Sequence, residues 1–278
     1  MHDDICHVAE EKRVTVIILP FHKHWRLEVD EDNRHDRVLE NVGHEWRLVN
    51  QKVLKNAPCS VAVLVDRGNL SPFPAAAQRV CIIFFGGPDD REALELGKRM
   101  LEHPTVKVSL ARFVEKDGPN GNEIVLSFSS DKNSDHSYSF STAKMNRQKE
   151  KVLDDEAMQE FGRKLNGKVQ YIEKVSENIV EEVLAIGKSG EYDVIIVGKG
   201  RFPSNMVAGL AKREAEHAEL GPIGDVLTSS TEVTSSLLIV QQHDVALGDD
   251  APVHNVQYEH DHDSSDRVEL SIANDKIV

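Results

Sequence analysis

Seven short runs rich in β-branched and other apolar residues limit what this chain can fold into. They are Val14–Leu19, Val61–Val65, Val80–Phe85, Val106–Phe113, Gln170–Glu173, Val194–Val197 and Leu237–Val240. Within most of them the apolar residues are continuous rather than alternating, the pattern of strands covered by helices on both faces. Helical patterns lie between them. Asp89 is placed to cap a helix whose Glu92 completes a capping box. Its stripe is Ala93, Leu94, Gly97, Met100 and Leu101, and Pro104 closes it. Asp154–Leu165 and Ile179–Ile186 give two more helices. Strands alternating with helices predict an α/β fold with a parallel sheet and right-handed crossovers.

The two ends of the chain resemble each other. DDICHVAEEKRVTVIILP from Asp3 aligns without a gap on EEVLAIGKSGEYDVIIVG from Glu181, so that Val16–Leu19 fall on Val194–Val197. Each segment reads as a helix, a polar turn and a strand, and a second helix and strand follow each (Glu45–Lys55 then Val61–Val65; Ile223–Leu227 then Leu237–Val240). The pattern predicts two copies of one unit. Residues 1–68 form a partial first copy whose missing strands are expected before Met1, 69–78 a linker, and 79–243 a complete second copy. The two final strands, Val61–Val65 and Leu237–Val240, are expected to pair and to leave the other edge of Val14–Leu19 open for self-association.

Charge sharpens the division. The net charge is −14, and the segment 244–278 carries nine acids against two bases, so half the excess lies in a tail expected to be flexible. A polar insert of about 115–149, including SFSSDKNSDHSYSFSTAK, is expected to be mobile, and Glu28–Arg37 to be a solvated charged stretch. The acidic balance argues against a nucleic-acid partner. No apolar run reaches the ~18 residues that span a bilayer. Cys6, Cys59 and Cys81 lack metal or redox spacing, which favours free thiols in a reducing compartment.

Several blocks then become familiar: VTVIILPFHKHWR, WRLVNQKVLKNAPCSVAVLVDRG, FFGGPDDREALELGKRMLEHP, VIIVGKGR and ELGPIGDVLTSS…SSLLIVQQ. Together they resemble the cytosolic C-terminal region of plant cation/H⁺ exchangers, monovalent cation/proton antiporters of the CPA2 group. The resemblance implies universal-stress-protein-like α/β units, one complete and one partial. It also implies a regulatory domain of a K⁺ (or other monovalent cation)/H⁺ antiporter, serving cation and pH homeostasis without transporting by itself. Its partner is then the membrane half of the same protein, a homodimer is expected, and the location is the cytoplasmic face of an endomembrane or the plasma membrane. The alternative is a freestanding stress-protein-type nucleotide binder.

Stress proteins that bind ATP use a G-x2-G-x9-G-[S/T] loop after the fourth strand and an aspartate ending the first. Glycines let the backbone approach phosphates, and a helix N-terminus favours their charge. Here the fourth strand ends in Gly198-Lys199-Gly200-Arg201, one residue short in spacing, Pro222 follows Gly221, and the first strand ends in Phe85-Gly86-Gly87 without aspartate. Gly86, Gly87, Gly198, Lys199, Gly200 and Arg201 are therefore either tight turns or a ligand crevice at the carboxyl ends of the strands. No cofactor is expected, with nucleotide the one open possibility. His22 and His24 flank Lys23 at a strand end and are candidate proton sensors. His260 and His262 in YEHDHD offer at most a weak metal contact, so no metal is expected. No nucleophile–base–oxyanion set is visible, and no enzymatic activity is expected.

Overall fold

The computed structural model describes residues 1–29, 35–41, 43–68, 77–114, 136–164, 169–175, 178–201, 207, 210 and 215–243. All seven runs are strands of one sheet. In chain order they are β1 (Val16–Pro20), β4 (Ser60–Val65), β5 (Gln78–Phe84), β6 (Val106–Val114), β7 (Val169–Val175), β8 (Val194–Gly198) and β9 (Ser236–Gln241). A separate antiparallel hairpin joins β2 (Lys23–Val29) to β3 (His35–Asn41). The helices are α1 (His2–Lys12), α2 (His44–Asn56), α3 (Pro88–Met100), α4 (His136–Lys164), α5 (Ile179–Lys188) and α6 (Gly221–Ser229), with a short 3₁₀ turn at Ala218–Leu220.

The sheet order is β1-β4-β9-β8-β5-β6-β7. Counted within the second copy, β7-β6-β5-β8-β9 is the order 3-2-1-4-5 of a doubly wound α/β sheet. The first copy supplies β1 and β4, equivalents of β8 and β9. Val16 lies opposite Ser60 just as Val194 lies opposite Ser236, the register that the gapless repeat requires. Within this sheet, among the described residues, only β4 and β9 run antiparallel, with Val63 opposite its own equivalent Ile239, so a pseudo-twofold axis crosses the sheet there. The two copies thus share one sheet.

Two hydrophobic clusters cover its faces. One joins Val61, Val63, Ile83, Val183, Ile195, Leu220, Leu227 and Ile239 under α1, α2, α5 and α6. The other joins Val80, Ile82, Phe84, Leu94, Leu110, Phe161 and Ile196 under α3 and α4. Gly97 of α3 packs where a Cβ would lie 2.3 Å from a methyl of Ile82.

Four expectations need correction. β1 is an edge strand as expected, but Val14–Leu19 reads as buried on both faces, whereas Ile18 is exposed while Ile17 and Leu19 are buried. The ends of the charged stretch, Glu28–Val29 and His35–Arg37, pair as strands in the β2–β3 hairpin, which its charge did not suggest. α4 begins at His136, so a helix stands where polar composition suggested an irregular insert. Gly87, not Asp89, is the N-cap of α3; Pro88 takes the first position, and Asp89 and Asp90 turn inward. The acidic tail and residues 115–135 lie outside the described residues.

Candidate functional site

The chain turns from β5 to β6 on one side of β5 and places β8 on the other, so a crevice is expected at their carboxyl ends. The chain fills this crevice with its own carboxylates. Asp90 accepts from the backbone N–H groups of Phe85 (2.7 Å), Gly86 (2.9 Å) and Gly198 (2.9 Å). Asp89 accepts from the Arg201 guanidinium (2.8 Å), the Arg201 N–H (3.1 Å) and the Gln242 N–H (2.8 Å). Asp154 of α4 accepts from the Gly87 N–H (3.0 Å) and pairs with Arg91. Lys199 is drawn inward, its Nζ donating to Gln241 Oε1 at 2.9 Å, and burial lowers its pKa.

These contacts explain the glycines. Gly86 and Gly87 have φ of 112° and 98°, a region that side chains disfavour. Gly198 is required by proximity, because a Cβ there would lie 2.2 Å from an Asp90 oxygen and 2.6 Å from its backbone nitrogen. Burial pushes the Asp90 carboxyl up to about 7, against the pull of its three N–H donors. The N–H groups of Gly86, Gly87 and Gly198 and the Arg201 side chain are therefore already engaged by carboxyl groups. A phosphate would have to displace Asp89, Asp90 or Asp154 to reach them.

A second polar cluster lies where the first copy meets the second. β1 runs out through Phe21, whose N–H donates to Leu64 O, into His22. The 3₁₀ turn before α6 brings His217 and Glu219 against it, and all three are at most 4% exposed. His22 Nδ1 lies 3.3 Å from Glu219 Oε1, and the two imidazole centroids are 5.6 Å apart. Arg47 Nε approaches the same Glu219 oxygen to 3.4 Å, and Lys23 Nζ lies 3.2 Å from His217 Nε2. Burial lowers the pKa of both histidines, outweighing the carboxylates that would charge them, so both rings are neutral near pH 7. His22 Nδ1, His217 Nδ1 and both Glu219 oxygens are buried without a hydrogen-bond partner. His24 lies in β2 opposite Glu40; its side chain is outside the described residues.

Arg67, just beyond β4, locks the same seam. It is fully buried and donates to the carbonyls of Leu227 (3.0 Å), Thr228 (2.8 Å) and Ser230 (3.1 Å) at the C-terminus of α6. Its guanidinium lies 3.8 Å from the centroid of the Trp25 ring. A cation at the negative end of a helix is favourable, and the planar group both caps and stacks.

Sequence reading brought Gly86, Gly87, Gly198 and Arg201 to one place but missed the aspartates that engage them. The adjacent Asp89-Asp90, straight after Gly86-Gly87-Pro88, was the available signal. Arg67, His217 and Glu219 carried none, because their partners are distant in the chain.

A protein-family model described as "Plant cation/H(+) antiporter, C-terminal domain" matches residues 77–241, and one described as "Plant cation/H(+) antiporter domain" matches residues 1–69. The chain is 50% identical over 272 residues to "Cation/H(+) antiporter 20" of Arabidopsis thaliana, covering 92% of this chain and 32% of the relative. It is 38% identical over 255 residues to "Cation/H(+) antiporter 15" of the same plant, covering 87% and 29%. The chain thus spans about a third of the length of the curated relatives it matches. Among solved structures, a universal stress protein from Archaeoglobus fulgidus DSM 4304 is similar at 12% identity and a TM-score of 0.41, over 87% of this chain and 66% of that one.

Proposed function

This chain belongs to the plant cation/H⁺ antiporter family, and from that premise we propose that it is a regulatory cytoplasmic region of a monovalent-cation (K⁺)/H⁺ antiporter. Transport itself is left to a membrane part of the same protein. None of the helices among the described residues is long and apolar enough to cross a membrane, in keeping with that division. The observation that carries the reading is the shared sheet, in which a buried Arg67 and the β4–β9 pairing join two copies across one seam. Such a seam has few ways to move, so a ligand or partner that prefers one arrangement of the copies biases the whole unit. The self-filled crevice favours this role over that of a nucleotide carrier. The region would sit on the cytoplasmic face of its membrane and contribute to cation and pH homeostasis, in an antiporter that dimerises through its membrane half.

The test is exchange by a full-length antiporter containing this region, in vesicles from a host without its own exchangers, followed by a pH-sensitive dye. Deleting the region should leave exchange measurable but change its dependence on cytoplasmic pH and cation concentration. Exchange identical to the intact protein across both variables would overturn the reading.

A further inference from the structure

We propose that His22, His217 and Glu219 form a binding site for a divalent transition-metal ion of the zinc class, held between the two copies. Two imidazoles and one carboxylate are a ligand set that zinc takes in protein sites, with a fourth position left for water. One ligand atom from each of the three residues lies within 4.8 Å of the others. Zinc bonds of about 2.0–2.2 Å put tetrahedral ligand atoms a little over 3 Å apart. His22 Nδ1 and Glu219 Oε1 are already at 3.3 Å, so small rotations of one ring and one carboxylate complete the set.

The decisive observation is the row of buried atoms without hydrogen-bond partners: Nδ1 of both histidines and both oxygens of Glu219. Buried polar atoms are nearly always paired, and His22, His217 and Glu219 each bring one ligand atom within 4.8 Å of the others, a spacing that one cation can bridge. A cation accepts electron pairs from each. The surroundings fit as well. His217 Nε2 now faces the Lys23 ammonium at 3.2 Å, which can only donate to it; once Lys23 shifts off the ring, Nε2–H can turn to Glu216 Oε1, 3.3 Å away, and leave Nδ1 for the metal, the carboxylate–histidine support common around zinc.

Two cations stand close by, and each has somewhere else to go. Lys23 Nζ already pairs with Glu216 Oε1 at 2.7 Å, and Arg47 Nη2 donates to Glu216 O at 3.2 Å. An incoming dication has to displace Arg47 Nε from Glu219 Oε1 (3.4 Å) and Lys23 Nζ from His217 Nε2 (3.2 Å), while both cations keep their contacts to Glu216. His22 belongs to the first copy and the other two ligands to the second, so the metal would pin the seam. The site does not depend on the antiporter reading.

The test uses the purified chain after chelator treatment, titrated with Zn²⁺ alone near neutral pH. Co²⁺ serves as the spectroscopic probe. The expected result is one tight Zn²⁺ per chain, a higher melting temperature, and the intense visible absorption of four-coordinate Co²⁺. Glu219→Gln, which keeps the shape, and His217→Ala should each weaken Zn²⁺ binding more than tenfold. The double change His260→Ala and His262→Ala should leave it unaltered. The wild-type Co²⁺ spectrum needs no substitution, so it stands even if a variant fails to fold. The proposal falls if no tight Zn²⁺ binds, if Co²⁺ stays six-coordinate, or if the tail substitutions abolish binding while the seam substitutions do not.

Discussion

Replacing Arg67 by Met is the sharpest probe of the seam. The side chain is buried, so the swap keeps most of the volume and removes the charge and its donors. Three carbonyl bonds of 2.8–3.1 Å are lost at the end of α6. The Ser230 carbonyl can turn to water, while those of Leu227 and Thr228 belong to residues at most 3% exposed. Leaving two buried acceptors unpaired costs about 1–3 kcal/mol each. Losing the stacking on Trp25 adds roughly 2 kcal/mol at a desolvated site. Relief from burying a charge offsets part of this, and the net loss expected is about 3–5 kcal/mol. That is a large share of the ~5–15 kcal/mol that holds a domain together. At roughly 2–4 °C per kcal/mol for a folded unit of this size, the melting temperature should fall by about 6–20 °C. Thermal unfolding followed by circular dichroism measures it, with urea unfolding as a check. Arg67→Lys should recover part of the loss, because an ammonium reaches one or two carbonyls but cannot lie flat on the indole. If Arg67→Met is insoluble, Trp25→Leu isolates the stacking. A drop under 2 °C for Arg67→Met would refute the argument that this arginine holds the two copies together.

Other outcomes follow from the crevice. Gly198→Ala places a methyl 2.2 Å from an Asp90 oxygen and 2.7 Å from the Asp89 carbonyl carbon, so backbone must move. Overpacking of ~1–3 kcal/mol plus a strained charge-assisted hydrogen bond should cost about 3–5 kcal/mol in urea unfolding. Gly162→Ala in the open part of α4 should be neutral or stabilising, and equal effects would remove the steric argument. The Asp90 carboxyl is raised from 3.8 to about 7 in the folded chain. The folded state therefore holds its proton more tightly than the unfolded one. The stability this gives is complete below pH 4 and is lost as pH rises to about 7, a change of a few kcal/mol at most. Asp90→Asn should flatten that slope and, because an amide N–H₂ then faces backbone donors, lower stability by about 1–3 kcal/mol at pH 8; stability curves that stay parallel from pH 4 to 7 would contradict the assignment. ATP should leave the melting temperature unchanged, since its phosphates must evict Asp89 or Asp90. Saturation at a hundred times a dissociation constant would add about 2.7 kcal/mol, so a rise of several degrees would show that those carboxylates give way.

How much was legible in the sequence depended on the range of the forces involved. Continuous apolar runs report burial on both faces of a strand, a local property, so all seven sheet strands could be found within two residues of their ends. The repeat could be read because equivalent helices and strands keep equivalent apolar positions, and the matching registers at Ser60 and Ser236 follow from it. The first turns of α4 stayed hidden in a polar run, and the β2–β3 hairpin because its short Trp25, Leu27, Val29 alternation is surrounded by charged residues. The glycines at the strand ends were visible, but their reason was not. A glycine permits close approach without saying what approaches, and here Asp90 and Asp154 do so rather than a phosphate. The chain by itself thus determined the α/β class, the duplication and the glycine turns, all set by neighbours within one helix or strand. Only the tertiary structure decided that Arg67 caps a helix some 160 residues away and that His22 meets His217 and Glu219. Such meetings depend on how the two copies fold against each other, and spacing along the chain leaves no mark of them.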